Sequence, residues 1–264
     1  MAFKVLMIGH LLGDFYFQSN RVAIEKTRHI KSMVVHGILY FTAIFLALLF
    51  VVNPDSYIKV LLGGVAVSAV HCLIDWIKVN IEKRIKNIEK YGAGIFLADQ
   101  LLHIICLYLF VYLCGITAGI SSWMNRIDCT EVKLNASWII AVLICWKPAS
   151  IFVTIIFKSI PNIVSQSELP ESNSIGECKN EECPYRKIEE ESAKVGSWIG
   201  ILEREIILAL GILNQFSAIG FVLAAKSMAR FKQLENKAFA EKYLVGTLLS
   251  TLISFLCIGL TKCW

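Results

Sequence analysis

Eight apolar windows follow one another along the chain, at about 3–18, 32–52, 58–77, 93–115, 136–158, 196–212, 214–230 and 242–261. Nothing constrains the fold more. In a bilayer every backbone N–H and C=O must be satisfied inside the protein, so segments of this kind are helices. Several windows approach the ~20 residues that a span requires, whereas 3–18 covers only roughly 24 Å at 1.5 Å per residue and reads as a tilted or incomplete span. Composition agrees: hydrophobic residues make up 56% of the chain, charged residues 18%, and the mean hydropathy is +0.62. Soluble domains run at roughly 45–50% and 25%. The fold expected is all-α, a polytopic transmembrane helix bundle of seven to eight spans, with the lipid bilayer as its first partner.

The net charge of +5 does not point to nucleic acid, because the bases sit in short clusters between apolar windows and no nucleic-acid module is present. Their distribution reads as topology. Arg21, Lys26, Arg28 and Lys31 lie in the first connection, Lys78, Lys83, Arg84, Lys86 and Lys90 in the third, Lys158, Lys179, Arg186, Lys187 and Lys194 in the fifth. Arg230, Lys232, Lys237 and Lys242 lie at the seventh, while the second, fourth and sixth hold only Lys59, Arg126 and Lys133. By the positive-inside rule the odd connections are cytoplasmic and both termini lie outside. Because His10, Asp14 and Gln18 interrupt the first window, a retained helix is expected there in place of a cleaved leader.

The long polar stretch 159–195 divides a front bundle, 1–158, from a back segment, 196–264. It contains Cys178 and Cys183, four residues apart. No second pair or histidine follows, so a solvated cytoplasmic loop is favoured over a zinc knuckle. Five of the nine cysteines, Cys72, Cys106, Cys114, Cys145 and Cys257, lie in apolar windows and behave as small hydrophobes.

Ionisable residues inside such windows are expensive and point to function. The third helix ends H-C-L-I-D, with His71 and Asp75; the fourth opens D-Q-L-L-H, with Asp99, Gln100 and His103; the first carries His10, Asp14 and Gln18. Each histidine–aspartate pair is four residues apart and shares a helix face. With His36 one turn into the second helix, all lie roughly 3–15 Å from the cytoplasmic helix ends at 1.5 Å per residue. Imidazole and carboxylate ligands suit zinc foremost, with manganese or iron as alternatives. Expected ligands of a divalent metal are therefore His10, Asp14, His36, His71, Asp75, Asp99 and His103, supported by Gln18 and Gln100. Helix-to-helix hydrogen bonding is the plainer role for any one such pair.

The back segment carries a second polar set: Glu203 and Arg204 in W-I-G-I-L-E-R-E, and Lys226 and Arg230 four apart. These residues are candidates for an anionic lipid-linked substrate, set against simple snorkelling of the cations. Lys147 and Pro148 place a charge beside a kink, with no partner evident from the sequence.

The front pattern H-x3-D-F-x2-Q, H-x3-D and D-Q-x2-H, with the back patterns I-G-x-L-E-R and A-I-G-F-x-L-A-A-K-S-x-A-R-F, resembles the bacterial multi-pass membrane proteins grouped as domain of unknown function 3307. The resemblance implies a bacterial inner-membrane protein and transfers no catalytic role.

The function expected from the residues is a metal-dependent membrane hydrolase acting on a lipid-linked or amphipathic substrate, with Asp14, Asp75 or Asp99 serving as general base for water. The alternatives are a metal-ion or proton transporter or channel, and a non-catalytic membrane subunit that recruits a partner through 159–195.

Overall fold

The computed structural model describes residues 2–18, 30–49, 57–86, 88–114, 129–160 and 184–263. His29 and the Cys178/Cys183 pair lie outside them. Among the described residues there are eight α-helices and no strands: α1 (Ala2–Leu11), α2 (Ile30–Leu49), α3 (Tyr57–Arg84), α4 (Ile88–Cys114), α5 (Cys129–Ser159), α6 (Pro184–Ile212), α7 (Phe216–Ala229) and α8 (Lys237–Cys263). The protein is an all-helical membrane bundle. Five stretches are long and apolar enough to span: Lys31–Leu49, Val60–Arg84, Ile88–Leu113, Asn135–Ser159 and Lys237–Cys263.

The other three helices depart from a plain span for physical reasons. The first window is short, and it changes from α- to π-helix over Leu12–Tyr16. In α6, Glu203, Arg204 and Glu205 interrupt the apolar run, and α7 has only 14 residues. Helix α6 also begins at Pro184, twelve residues before the apolar window, so that helix occupies part of the stretch read as loop to 195. Proline fits a first helical turn, where its missing N–H leaves no bond unmade.

Helix α5 is the common wall. It packs on α1 and α4 on one side and on α6 and α8 on the other; α2 joins α1 to α3, and α3 packs on α4. The front core is built from Leu6, Met7, Leu11, Tyr40, Ile44, Leu48, Leu107 and Phe110, all buried. A second core joins Ala141 and Cys145 to Ile207, Leu208, Cys257 and Ile258. Glycines permit two of the closest approaches, since a Cβ on Gly63 would fall 2.4 Å from the Phe110 ring and one on Gly211 2.2 Å from Ile258 Cδ1.

Pro148 explains how α5 holds its neighbours. A proline inside a helix makes no bond to the carbonyl four residues back, here that of Ile144, and crowds the turn ahead of it. Around it the Tyr16 hydroxyl donates to the Leu143 carbonyl at 2.8 Å and Arg204 Nε to the Cys145 carbonyl at 2.6 Å. Lys147 reciprocates by donating from Nζ to the carbonyl of Phe15, inside the π-turn, at 3.0 Å. Two irregular turns thus satisfy one another across α1 and α5.

Candidate metal centre

The π-turn is where the site begins. Its backbone N–H of Phe17 reaches back five residues to Leu12 at 2.8 Å, and the widened turn carries Asp14. Such bulges recur at functional sites because they re-aim a side chain without ending the helix. Asp14 meets His36 from α2 and both His71 and Asp75 from α3. The Nε2 atoms of His36 and His71 are 2.9 Å apart. His36 Nε2 is 3.5 Å from Asp14 Oδ1 and 3.2 Å from Asp75 Oδ2, and His71 Nε2 is 3.8 and 3.7 Å from the same two oxygens.

Those separations carry information. Four ligands about 2.0–2.1 Å from a tetrahedral zinc are about 3.3 Å from one another, the edge of the tetrahedron. The five distances here run from 2.9 to 3.8 Å and bracket that edge. One atom from each of Asp14, His36, His71 and Asp75 could hold a metal ion, and so could Asp75, Asp99 and His103. Asp75 belongs to both groups.

The remaining expected ligands take other positions. His10 stands outside both groups: its Nδ1 is 3.1 Å from the Tyr40 hydroxyl and its Nε2 3.4 Å from Gln100 Oε1. Gln100 gives this network its direction. Its amide nitrogen donates to Asp14 Oδ2 at 3.3 Å and to Asp99 Oδ2 at 3.2 Å. Ionised carboxylates only accept, so the amide oxygen faces His10, whose Nε2 donates while Nδ1 accepts from Tyr40. Gln18 is buried and lines the same cavity as Asp14. The His103 ring lies 4.3 Å from that of His71, tilted by 40°, and Asp99 Oδ1 and both His103 ring nitrogens make no hydrogen bond.

Sequence reasoning passed over Tyr40 and Lys78. Tyr40 stacks flat on His71, with centroids 3.7 Å apart and planes 4° apart, and so fixes the imidazole that carries a ligand atom. The signal was its place four residues after His36, on one helix face. Lys78 was counted as topology, yet its Nζ donates to Asp99 Oδ2 at 2.8 Å. It lies three residues beyond Asp75.

A cavity of about 540 Å³ reaches the cluster, lined by the polar Asp14, Gln18, Asp75, Lys78 and Gln100 and by the apolar Phe15, Phe96, Ile151 and Ile155. On every contributing helix the inward stripe turns apolar in the opposite direction: His10 to Leu6, His36 to Tyr40 and Ile44, His71 to Val67, His103 to Leu107. Buried polar residues still occur beyond the layer, Ser68 on α3 and Lys4 on α1, whose Nζ donates to Ser137 Oγ at 2.7 Å. The expected substrate-binding residues Glu203, Arg204, Lys226 and Arg230 do not line this cavity; they line another, across α5.

Residues 2–130 match the family model described as Protein of unknown function (DUF3307). Over these residues, just under half of its length, the chain is similar to the DUF3307 family. All seven histidines and aspartates named as ligands fall within the DUF3307 segment, and the basic cavity of the back helices falls outside it. No curated protein and no solved structure matches the chain significantly.

Proposed function

We propose that the protein is a metal-dependent membrane hydrolase that holds one divalent ion, zinc foremost, between Asp14, His36, His71 and Asp75 and cleaves an amphipathic or lipid-linked substrate. The observation that carries this reading is the convergence of four donor atoms from three helices, five of their separations lying at 2.9–3.8 Å, next to a cavity lined by both polar and apolar residues. A metal bound there would supply Lewis acidity and a water acidic enough to act as nucleophile near neutral pH. The chain's own groups do the rest. Asp99 and His103, which keep unpartnered polar atoms 3.8 Å apart, accept and return the proton. Gln100 locks Asp14 to Asp99, and Lys78 and Lys158 offer positive charge to an anionic substrate along the cavity. The lysine and arginine distribution supports a cytoplasmic position for this end of the bundle.

The mostly apolar stripe beyond His10 and His71 supports a one-sided enzyme over a transporter, which needs a polar path to both faces. Elemental mass spectrometry of the detergent-purified chain tests the metal, beside a His36→Ala, His71→Ala variant that elutes as a folded species. About one ion per chain, lost in the variant, is expected from a four-ligand site. No ion after reconstitution would sink the reading, and metal flux into liposomes without hydrolysis of lipid phosphoesters would replace it with transport.

A further inference from the structure

On the far side of α5 lies a second cavity of about 300 Å³, bounded by α5, α6, α7 and α8. Ser150, Val153, Thr154 and Phe157 face it, while Ile151, Ile155 and Lys158 face the first cavity, so the two stand at one level with α5 between them. Its charge is one-sided. Arg204, Lys226, Arg230 and Lys242 line it, against the single carboxylate of Glu203.

Arg204 is the largest fully buried side chain among the described residues, yet the partners it binds are neutral: the Cys145 and Trp146 carbonyls and the hydroxyls of Ser150 and Ser250. Its charge is held in place without an ion pair. Arg230 lies over the Tyr243 ring at 6.0 Å and forms no ion pair with a described carboxylate. Lys226 pairs with Glu203 Oε2 and donates to Thr247 at 3.1 Å. The other Glu203 oxygen, Oε1, is buried and accepts no hydrogen bond. Met228 and Phe231, flanking Arg230 in the sequence, are 79% and 69% exposed.

We propose that this cavity binds an anionic phosphate headgroup whose neighbouring hydroxyl donates to Glu203 Oε1, independently of the metal centre. Guanidinium and ammonium groups grip phosphate oxygens through charge-assisted hydrogen bonds, and a preformed buried guanidinium gives the site its fixed point. The exposed apolar Met228 and Phe231, next in sequence to the cavity-lining Arg230, make a phospholipid the favoured source, its acyl chains lying against the same apolar surface. A water-soluble phosphoester would use the same groups.

Equilibrium binding to the full chain in detergent separates these. The probes are short-chain phosphatidylglycerol, short-chain phosphatidylcholine, which lacks the hydroxyl and the net charge, and glycerol phosphate. Phosphatidylglycerol is expected to bind saturably and at least about tenfold more tightly than phosphatidylcholine, the scale of one lost charge-assisted bond. Lys226→Gln with Arg230→Gln should weaken it by about tenfold or more; Arg230→Gln alone, which breaks no ion pair among the described residues, should weaken it about threefold or more. His71→Ala should leave it unchanged, so failure of the metal reading and failure of this one are told apart. Glycerol phosphate competing as well as phosphatidylglycerol would support the site and assign it a soluble ligand. Equal binding of phosphatidylcholine, or affinity unmoved in both cation variants, would overturn the proposal.

Discussion

Lys78 decides whether the cluster holds one ion or two. Asp75, Asp99 and His103 form a second group of possible ligands, yet the Lys78 ammonium is 2.8 Å from Asp99 Oδ2 and already supplies the charge that a second metal would bring. A divalent ion bound about 2.1 Å from the same carboxylate would stand roughly 5 Å from Nζ. At an effective dielectric of about 20 the repulsion between charges of two and one at that distance is about 6–7 kcal/mol. The Lys78 side chain is 23% exposed and can swing toward the cavity, so we keep roughly half, about 3 kcal/mol, or about a hundredfold in affinity. Lys78→Gln should therefore raise the metal content from about one to about two ions per chain at metal concentrations where the native chain stays at one. Elemental mass spectrometry after dialysis against a graded zinc series reads this directly. A native chain that already holds two ions would refute the reasoning, as would a variant that stays at one across a roughly hundredfold range of free zinc.

Tyr40→Phe keeps the ring stacked on His71 and removes the hydroxyl bonded to His10, so thermal unfolding in detergent should show a loss of about 1 kcal/mol; a loss no larger than a few tenths would detach Tyr40 from the network. Lys147→Met leaves the Phe15 carbonyl of the π-turn without its donor at an apolar interface, at a cost of about 1–3 kcal/mol and with weaker zinc retention through displacement of Asp14. Unchanged zinc content in a destabilised Lys147→Met chain would separate the turn from the site. Gly211→Ala forces a Cβ to 2.2 Å from Ile258 and should destabilise the α6–α8 contact by about 1–3 kcal/mol, with partial recovery when combined with Ile258→Val; no recovery would place the strain elsewhere.

The helical bundle was legible because apolar windows near span length leave the backbone no other solution in lipid. The polar layer was legible too, since His10/Asp14, His71/Asp75 and Asp99/His103 obey the four-residue rule of a regular helix. What that rule could not show was the π-turn at Leu12–Tyr16, where the spacing is still four but the backbone reaches back five. Nor could it rank the seven ligand candidates. His10 carries the same signature as His71, and only the positions of Tyr40 and Gln100 turn its nitrogens to hydrogen bonding. Lys147 beside Pro148 had no visible partner because the acceptor is a backbone carbonyl 132 residues away, and carbonyls freed by a bulge have no signature of their own in residue type.

Helix α5 gives the two cavities a common origin. Pro148 supplies no N–H for the Ile144 carbonyl, and side chains of neighbouring helices donate to the carbonyls on either side of it. Tyr16 answers from the front and Arg204 from the back. Each brings its surroundings with it. Tyr16 closes the π-turn that presents Asp14, and Arg204 plants a buried guanidinium in the wall of the basic cavity. Pro148→Ala would restore the bond to the Ile144 carbonyl and regularise that turn, which shifts the flanking Leu143 and Cys145 carbonyls and weakens both anchors together. The two sites are independent in their ligands, but their geometry depends on one proline. Loss of zinc retention and of headgroup binding in the same Pro148→Ala chain, while the helical content stays native, is the expected signature; loss of only one would show that the cavities are positioned separately.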